Sequence, residues 1–172
     1  MNPDENPAIT RFHWDRTVIS ITVLTLALVV GTLVWTLSMT GTFGAVLSGA
    51  IGIGCIVPCF AFVPVYLQLD DSRLRLKKAI GSTDIPLHAI RSVETIAPSD
   101  LDGSIRTFGS GGFLGYLGHF KNKRLGHYIM YATELRHLLK VETDRKTYVF
   151  SCRAAARFAE RFARHDAARR TE

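Results

Sequence analysis

The hydrophobic positions divide the chain into two parts with different patterns. Residues 17–69 contain no Asp, Glu, Lys, Arg or His, a run of 53 residues. Within this run, residues 17–39 and 45–66 are each long enough to cross a hydrocarbon core about 30 Å thick as a helix. The uncharged segment 40–44 (TGTFG) between them predicts a tight turn. The pattern therefore predicts a two-helix transmembrane hairpin (17–66) after an N-terminal tail of residues 1–16.

A cleavable signal peptide is the alternative for the first apolar segment. Its apolar region would be only about 7–15 residues long, and here a second apolar segment follows. Arg11 and Arg16 precede the hairpin and four basic residues follow it at 73–78, whereas the turn has none. Because Lys and Arg near a membrane stay preferentially in the cytoplasm, we expect a multi-pass membrane protein with both termini cytoplasmic.

Small residues in the second apolar segment indicate close helix packing. Gly44, Ser48 and Gly52 recur at four-residue steps, which lets another helix approach. That helix is either the first span or, in a homo-oligomer, a second copy of the chain. Cys55 and Cys59 are one turn apart around a proline and are interpreted as small packing residues, since they lack the other ligands of a metal site.

After residue 64 the apolar residues alternate with polar ones, which is typical of half-buried strands. In residues 74–78, for example, Leu74 and Leu76 are expected to point inward. Strands are predicted at residues 65–69, 74–78, 83–87 with its continuation at 89–96, 104–108, 127–132, 135–143 and 147–151.

The last segment predicts an amphipathic helix over 152–170. Ser151 is well placed as its N-cap, and an apolar stripe follows helical spacing at Ala155, Phe158, Ala159 and Phe162. The predicted fold is thus about seven short antiparallel strands followed by a C-terminal amphipathic helix. We place this domain at residues 67–165 and a basic C-terminal tail at 166–172.

This order of elements is that of a pleckstrin-homology (PH) domain, in which the helix closes one end of a bent barrel. The segment YLQLDDSRLRLKKAIGSTDIPLHAIRSVE (66–94) resembles the start of bacterial PH domains. FGSGGFLGYLGHFKNKRLGHYIMYAT (108–133) is similar to a glycine-aromatic segment of one membrane-anchored subgroup, and YVFS (148–151) also fits. The resemblance covers about residues 65–165. It implies a non-enzymatic, membrane-associated module and, with the predicted hairpin, a multi-pass protein of the bacterial inner membrane.

One loop departs from the family pattern. Members that bind inositol phosphates use a basic cluster between the first two strands, whereas residues 70–73 here read DDSR. The resemblance therefore does not extend to specific phosphoinositide binding.

The net charge of the second part of the chain favours binding to a membrane surface. From Asp70 onward the chain carries 19 of its 21 basic and 12 of its 15 acidic residues, a net charge of +7. A basic domain suits an anionic lipid surface. Nucleic acid would favour the same sign, but the tether makes the lipid bilayer the simpler partner, and no nucleic-acid partner is expected.

The segment 108–122 has five glycines and six aromatic or leucine residues. It does not match the spacing of a dinucleotide or P-loop fingerprint, and a strand rather than a helix follows. Two interpretations remain open: a long glycine loop over a small aromatic core, or an apolar tip flanked by basic residues that binds a partner or the membrane. The candidate binding residues are Arg106, Phe113, Tyr116, Phe120, Lys121, Lys123 and Arg124.

No catalytic motif with correct spacing is present, and we expect neither a metal nor a cofactor. The best enzyme-like set would be His119, His127 and Asp102. The leading hypothesis is a non-enzymatic, membrane-anchored binding or scaffold module that recognises a protein partner at the membrane surface. The alternative is a subunit that interacts through its transmembrane hairpin, and a membrane enzyme comes third.

Overall fold

The computed structural model describes residues 8–70 and 72–170, with the backbone alone for 8 and 165–170. The helices are α1 (Arg16–Ala61) and α2 (Ala155–Arg170). The strands are β1 (Ala8–Arg11), β2 (Pro64–Leu69), β3 (Arg73–Lys78), β4 (Ser82–Pro86), β5 (Ile90–Ile96), β6 (Ile105–Gly111), β7 (Tyr116–Asn122), β8 (Gly126–Ala132), β9 (Leu138–Thr143) and β10 (Thr147–Ser151). Three parts of the sequence predictions lie outside the described residues: 1–7 of the N-terminal tail, Asp71 of the DDSR loop, and 171–172 of the C-terminal tail.

Helix α1 is one continuous element where the sequence predicts two helices and a five-residue turn. It begins after Asp15, whose carboxylate accepts a hydrogen bond from the Val18 N–H at 2.7 Å. Non-helical backbone is confined to Gly41, with φ 67° and ψ −161°. The predicted turn at 40–44 is wrong in extent. Glycine adopts positive φ without steric cost, so one residue suffices to break the helical path while its neighbours stay helical.

Residues on the two sides of Gly41 contact each other. The hydroxyl oxygens of Thr36 and Ser48 lie 2.9 Å apart, whereas twelve residues of straight helix would separate them by about 18 Å. A Cβ built on Gly52 would lie 3.4 Å from a methyl carbon of Val29. Ser48 and Gly52 of the predicted small-residue stripe therefore pack against the preceding part of the same helix.

Strand β1 was not predicted from the sequence. It pairs antiparallel with β2, with Arg11 opposite Tyr66, and the Phe12 N–H donates to the Val65 carbonyl at 3.3 Å. A straight helix of 46 residues would be about 69 Å long, yet the residues that flank α1 are neighbours in one sheet. Part of the predicted N-terminal tail is thus a strand of the folded domain.

The strands form two sheets instead of the predicted bent barrel. One sheet has the order β1-β2-β3-β4 and the other β5-β9-β10-β8-β7-β6. Among the described residues no pairing joins the sheets. Residues of β4, β6 and the last turn of α1 line a common groove. The pairing is also not wholly antiparallel, since β10 runs parallel to β8.

The main core lies between the two sheets and α2. As predicted, Leu74 and Leu76 point inward, and Phe158 of α2 is buried against them and Leu139. A second cluster, which includes Phe120 and Met130, covers the opposite face of the six-stranded sheet.

Two boundaries at the C-terminal helix differ from the predictions. Helix α2 begins at Ala155, and Ser151 ends β10, where its hydroxyl oxygen accepts a hydrogen bond from the Thr133 N–H at 3.0 Å. Because Ser151 is held in the sheet, it does not cap the helix. The helix also continues to Arg170, past the predicted domain boundary at 165.

Candidate functional site

The glycine-rich segment is a β-hairpin, which overturns the interpretation as a long loop. Gly109 in β6 lies opposite Gly118 in β7. Their φ angles are 117° and 119°, and a Cβ on either one would overlap a carbonyl oxygen of the other strand. Glycine is required here because the backbones approach closely in a conformation that L side chains rarely adopt.

The turn of this hairpin docks on the first turns of α1. The Leu114 N–H donates to the Thr22 hydroxyl oxygen at 2.9 Å, and Ile21 packs next to Gly112. Leu114 is buried although its φ is 59°. An αL backbone costs a residue with a side chain about 1–2 kcal/mol, which the burial of Leu114 and its hydrogen bond offset. Val18 is fully buried at the same place.

The three predicted aromatic binding residues do not form one exposed tip. Phe120 is buried and stacks on Tyr128 with ring centroids 5.9 Å apart. Tyr116 and Phe113 are half-buried, and burial, with a smaller effect of Asp15, raises the pKa of the Tyr116 hydroxyl. The placement agrees with a packing role for these rings, and their role in binding stays a prediction.

The four predicted basic residues lie on the surface. Arg106, Lys121 and Lys123 are exposed, whereas the Arg124 guanidinium forms an ion pair with Asp100. The turn that carries Lys123 and Arg124 is held by the Asn122 side-chain oxygen, which accepts a hydrogen bond from the Leu125 N–H at 2.6 Å. Their role in binding also stays a prediction.

A concave surface with a volume of about 520 Å³ lies beside this hairpin. We call it the groove, and volumes of about 300–1,000 Å³ are typical of ligand pockets. One wall is the last turn of α1 with Phe62, and the other side is Thr83 of β4. Its floor is a row of directly paired residues across β6, β7, β8 and β10: Phe108, His119, Ile129 and Tyr148.

The groove is mostly apolar, with a few polar groups. Burial raises the pKa values of the Tyr131 and Tyr148 hydroxyls, so both stay neutral near pH 7. Lys146 and His119 are the ionisable nitrogen groups on its lining, and no Asp or Glu is among the described residues that line it. An arrangement of this kind can hold an apolar ligand that also carries a negative charge.

Sequence reasoning missed the groove. Phe108 is 75% exposed. The sequence pattern predicts only that this residue ends a strand. Alternation predicts that a residue faces outward, but it does not say which strands lie side by side. β8 and β10 pair in parallel although β9 lies between them in the sequence. The sequence pattern therefore could not predict the row of residues on the floor of the groove.

The predicted enzyme-like set is not brought together. His119 lies opposite Ile129, whereas His127 lies opposite Lys121 in another row of the same sheet. Asp102 follows the short 3-10 turn Pro98–Leu101, and within residues 8–70 and 72–170 no hydrogen bond or ion pair joins it to either ring. Over the same residues, no group of three or more His, Cys, Asp or Glu side chains could hold a metal ion.

The three cysteines have different environments. Cys59 is half-buried and donates its thiol to the Cys55 carbonyl at 3.3 Å, next to Pro58 inside α1. Cys152 is buried at the end of β10, and burial raises the pKa of its thiol to about 11. A neutral buried thiol is a poor nucleophile.

Comparison with known proteins identifies the domain that carries the groove. A family model described as a bacterial PH domain matches residues 65–165, which include β2 to β10 and most of α2. No curated protein matches, and no solved structure matches. PH domains are in general non-catalytic binding modules. The chain belongs to the bacterial PH domain family.

Proposed function

We propose that this chain is a non-enzymatic, membrane-anchored binding module. In this proposal α1 is a two-span transmembrane hairpin and the sheets with α2 form a PH domain held against the cytoplasmic surface of the inner membrane. One observation carries it: both ends of α1 are hydrogen-bonded to the domain. The Asp15 N–H donates to the Thr133 carbonyl at 3.1 Å, and the Ile80 N–H donates to the Ala61 carbonyl at 3.3 Å.

The exposed surface of α1 supports a membrane location. Of the helices among the described residues, α1 is the one that is long and apolar enough to cross a membrane. In its most apolar stretch of 18 residues, 11% is buried. Side chains such as Leu24 and Phe43 are 70% and 82% exposed. Contiguous apolar surface of this extent is unfavourable in water and favours lipid. The contacts across Gly41 support two spans that cross and return.

Topology mapping tests the anchor. Single cysteines are introduced as Phe43→Cys near the bend and Ser99→Cys in the domain, with Cys55 and Cys59 replaced by Ser. The chain should resist carbonate extraction. In intact cells a membrane-impermeant maleimide should label the Phe43→Cys variant and leave Ser99→Cys unlabelled until the cells are broken. Extraction by carbonate, or equal labelling of both variants, would contradict the proposal.

The sequence predicts a protein partner, and β6 is the surface that favours one. It is the last strand of its sheet, and it exposes 71% of Ile105 and 75% of Phe108. Large apolar side chains on an edge strand are typical of a surface that another chain covers.

A crosslinked pull-down from native membranes tests the partner surface. The variant is Phe108→Ser, because replacing the buried Phe120 would disturb the core instead. The matched control is Ile80→Ser, a residue 68% exposed in the turn after β3. A partner that is lost with Phe108→Ser and kept with Ile80→Ser supports the proposal, and equal recovery with both argues against it.

The second candidate is a subunit that interacts through the hairpin. Gly31 and Gly54 have open space beside them, with no atom within 4 Å of a built Cβ, so another helix could approach there. A partner lost with Gly31→Leu but kept with Phe108→Ser would favour this role. Homo-oligomerisation through Gly44, Ser48 and Gly52 stays a prediction, although Ser48 and Gly52 already contact the same chain.

A further inference from the structure

We infer that the groove binds one anionic phospholipid of the surrounding bilayer, with an acyl chain on its apolar floor and the phosphate near Lys146. The inference rests on the proposed anchoring of α1 in a membrane. It adds a ligand class and a binding site on a face of the domain other than the DDSR loop.

The position of the groove gives a lipid direct access. Its wall is formed by Pro58, Cys59 and Phe62 at the C-terminal end of α1, where the helix leaves the apolar core of the membrane. Phe60 and Phe62, side chains of this same end, are 46% and 49% exposed. The apolar surface of the helix therefore reaches the groove through its last turn and Phe62.

The shape of the floor favours an acyl chain over an extended peptide. The row from Phe108 to Tyr148 crosses four neighbouring strands, a distance of about 14 Å at a strand spacing of about 4.8 Å. A peptide that pairs with β6 would run along that strand and cover Phe108 alone. A ligand that runs across the strands cannot use backbone pairing and must bind through apolar contact, as an acyl chain does.

Charge at the groove selects an anionic headgroup. Lys146 lies on the lining, and its backbone is fixed by hydrogen bonds with the Thr143 hydroxyl at 2.7 and 3.0 Å. The nearby carboxylate of Asp144 is paired with Arg91 at 2.6 Å. Lys78 is not a lining residue, but its ammonium lies 5.4 Å from the centre of the Phe62 ring, which lines the groove. Lys146 thus offers a phosphate an ammonium group on the lining, and no Asp or Glu is among the described residues that line the groove.

Native mass spectrometry of the full-length chain tests the inference. The chain is released from nanodiscs that contain phosphatidylcholine with either phosphatidylglycerol or further phosphatidylcholine. We expect one retained phosphatidylglycerol per chain, with retention at least tenfold weaker in Phe108→Asp and Lys146→Glu. The matched controls are Ile80→Asp and Arg145→Glu, which change exposed residues that do not line the groove. Added glycerol phosphate, a headgroup without a chain, should not displace the lipid.

The outcomes separate the two proposals. If carbonate extraction leaves the chain in the membrane but no lipid is retained, the groove inference is wrong and the anchor stands. Equal retention in Lys146→Glu and Arg145→Glu would also overturn it, because the lipid would then bind elsewhere. If Phe108→Asp loses a crosslinked protein while lipid retention is unchanged, the surface binds a protein and the lipid inference is rejected. If carbonate extracts the chain, the proposed membrane anchor is wrong, and so is the lipid inference that rests on it.

Discussion

The close approach of β6 and β7 predicts a large effect of one added methyl group. In Gly118→Ala the new Cβ would overlap the Phe108 carbonyl oxygen and lie 2.9 Å from the Gly109 Cα. The backbone at Gly118 also has a φ of 119°, a strain of about 1–3 kcal/mol for alanine. Because both obstacles are backbone atoms, the strands must separate, and we expect a total loss of about 3 kcal/mol or more in the free energy of unfolding.

Two other glycines serve as matched controls. Gly126 has a φ of 67° and no atom within 4 Å of a built Cβ, so Gly126→Ala introduces backbone strain of about 1–2 kcal/mol alone. At Gly111 the nearest atom is the end of the flexible Arg106 side chain, 3.1 Å away. Gly111→Ala should therefore cost less than about 1 kcal/mol. The series isolates the contribution of the close approach.

The rate at which a maleimide labels Cys152 measures these stability changes. Cys152 is 1% exposed, so a maleimide reaches it only when the domain opens, provided that Cys55 and Cys59 are replaced by Ser. When opening and closing are fast, the labelling rate follows the opening equilibrium, at a factor of ten for each 1.4 kcal/mol or so. Gly118→Ala should raise the rate by about 100-fold or more and Gly126→Ala by about 10-fold. A rate for Gly118→Ala equal to that for Gly111→Ala would refute the reasoning.

Three further predictions follow from single contacts. Thr22→Val should cost about 1–3 kcal/mol, because it leaves the buried N–H at the hairpin turn without an acceptor. In the same labelling assay, Phe120→Ala should cost about 3–5 kcal/mol, whereas the exposed Phe108→Ala should change stability by less than about 0.5 kcal/mol. Because burial raises the pKa of the Cys152 thiol to about 11, the native state keeps a proton that the unfolded state loses above pH 9. The free energy of unfolding of wild type relative to Cys152→Ala should therefore fall by about 2–3 kcal/mol between pH 9 and about 11, as measured by thermal unfolding.

Each of these predictions has an outcome that contradicts it. The control for Thr22→Val is Thr32→Val, an exposed hydroxyl that bonds only within its own helix, and equal effects would mean that the contact with the hairpin turn contributes nothing. Equal effects of the two phenylalanine substitutions would contradict the assignment of one ring to the core. A constant difference between wild type and Cys152→Ala from pH 8 to 11 would show that the native thiol ionises normally.

Local patterns in the sequence predicted the parts of the fold that depend on local physics. Alternation gave the inward leucines of β3, and helical spacing gave the buried face of α2. The family resemblance gave the extent of the domain, about 65–165, which the family model matches. In each case a few consecutive residues carry the information, because burial follows from the period of the side chains.

Long-range relations could not be predicted in the same way. Strand β1 has four residues, too few for a periodic signal, and its partner lies across the whole of α1. The glycines of β6 and β7 suggested a loop, since glycine is depleted in strands, but their role depends on the strand opposite. The groove joins residues from Pro58 to Tyr148, and only the sheet order brings these residues to one place.

The pairing of β1 with β2 imposes an order on the biogenesis of the protein. β1 leaves the ribosome before α1, but its partner strand emerges only after all 46 residues of the helix. The first sheet can be completed only when both ends of α1 return to the same compartment. Under the proposed anchoring, a chain inserted with a single crossing would have β1 on one side of the bilayer and β2 on the other, and the sheet would stay incomplete. Completion of this sheet would then require the proposed membrane topology, with both ends of α1 on one side.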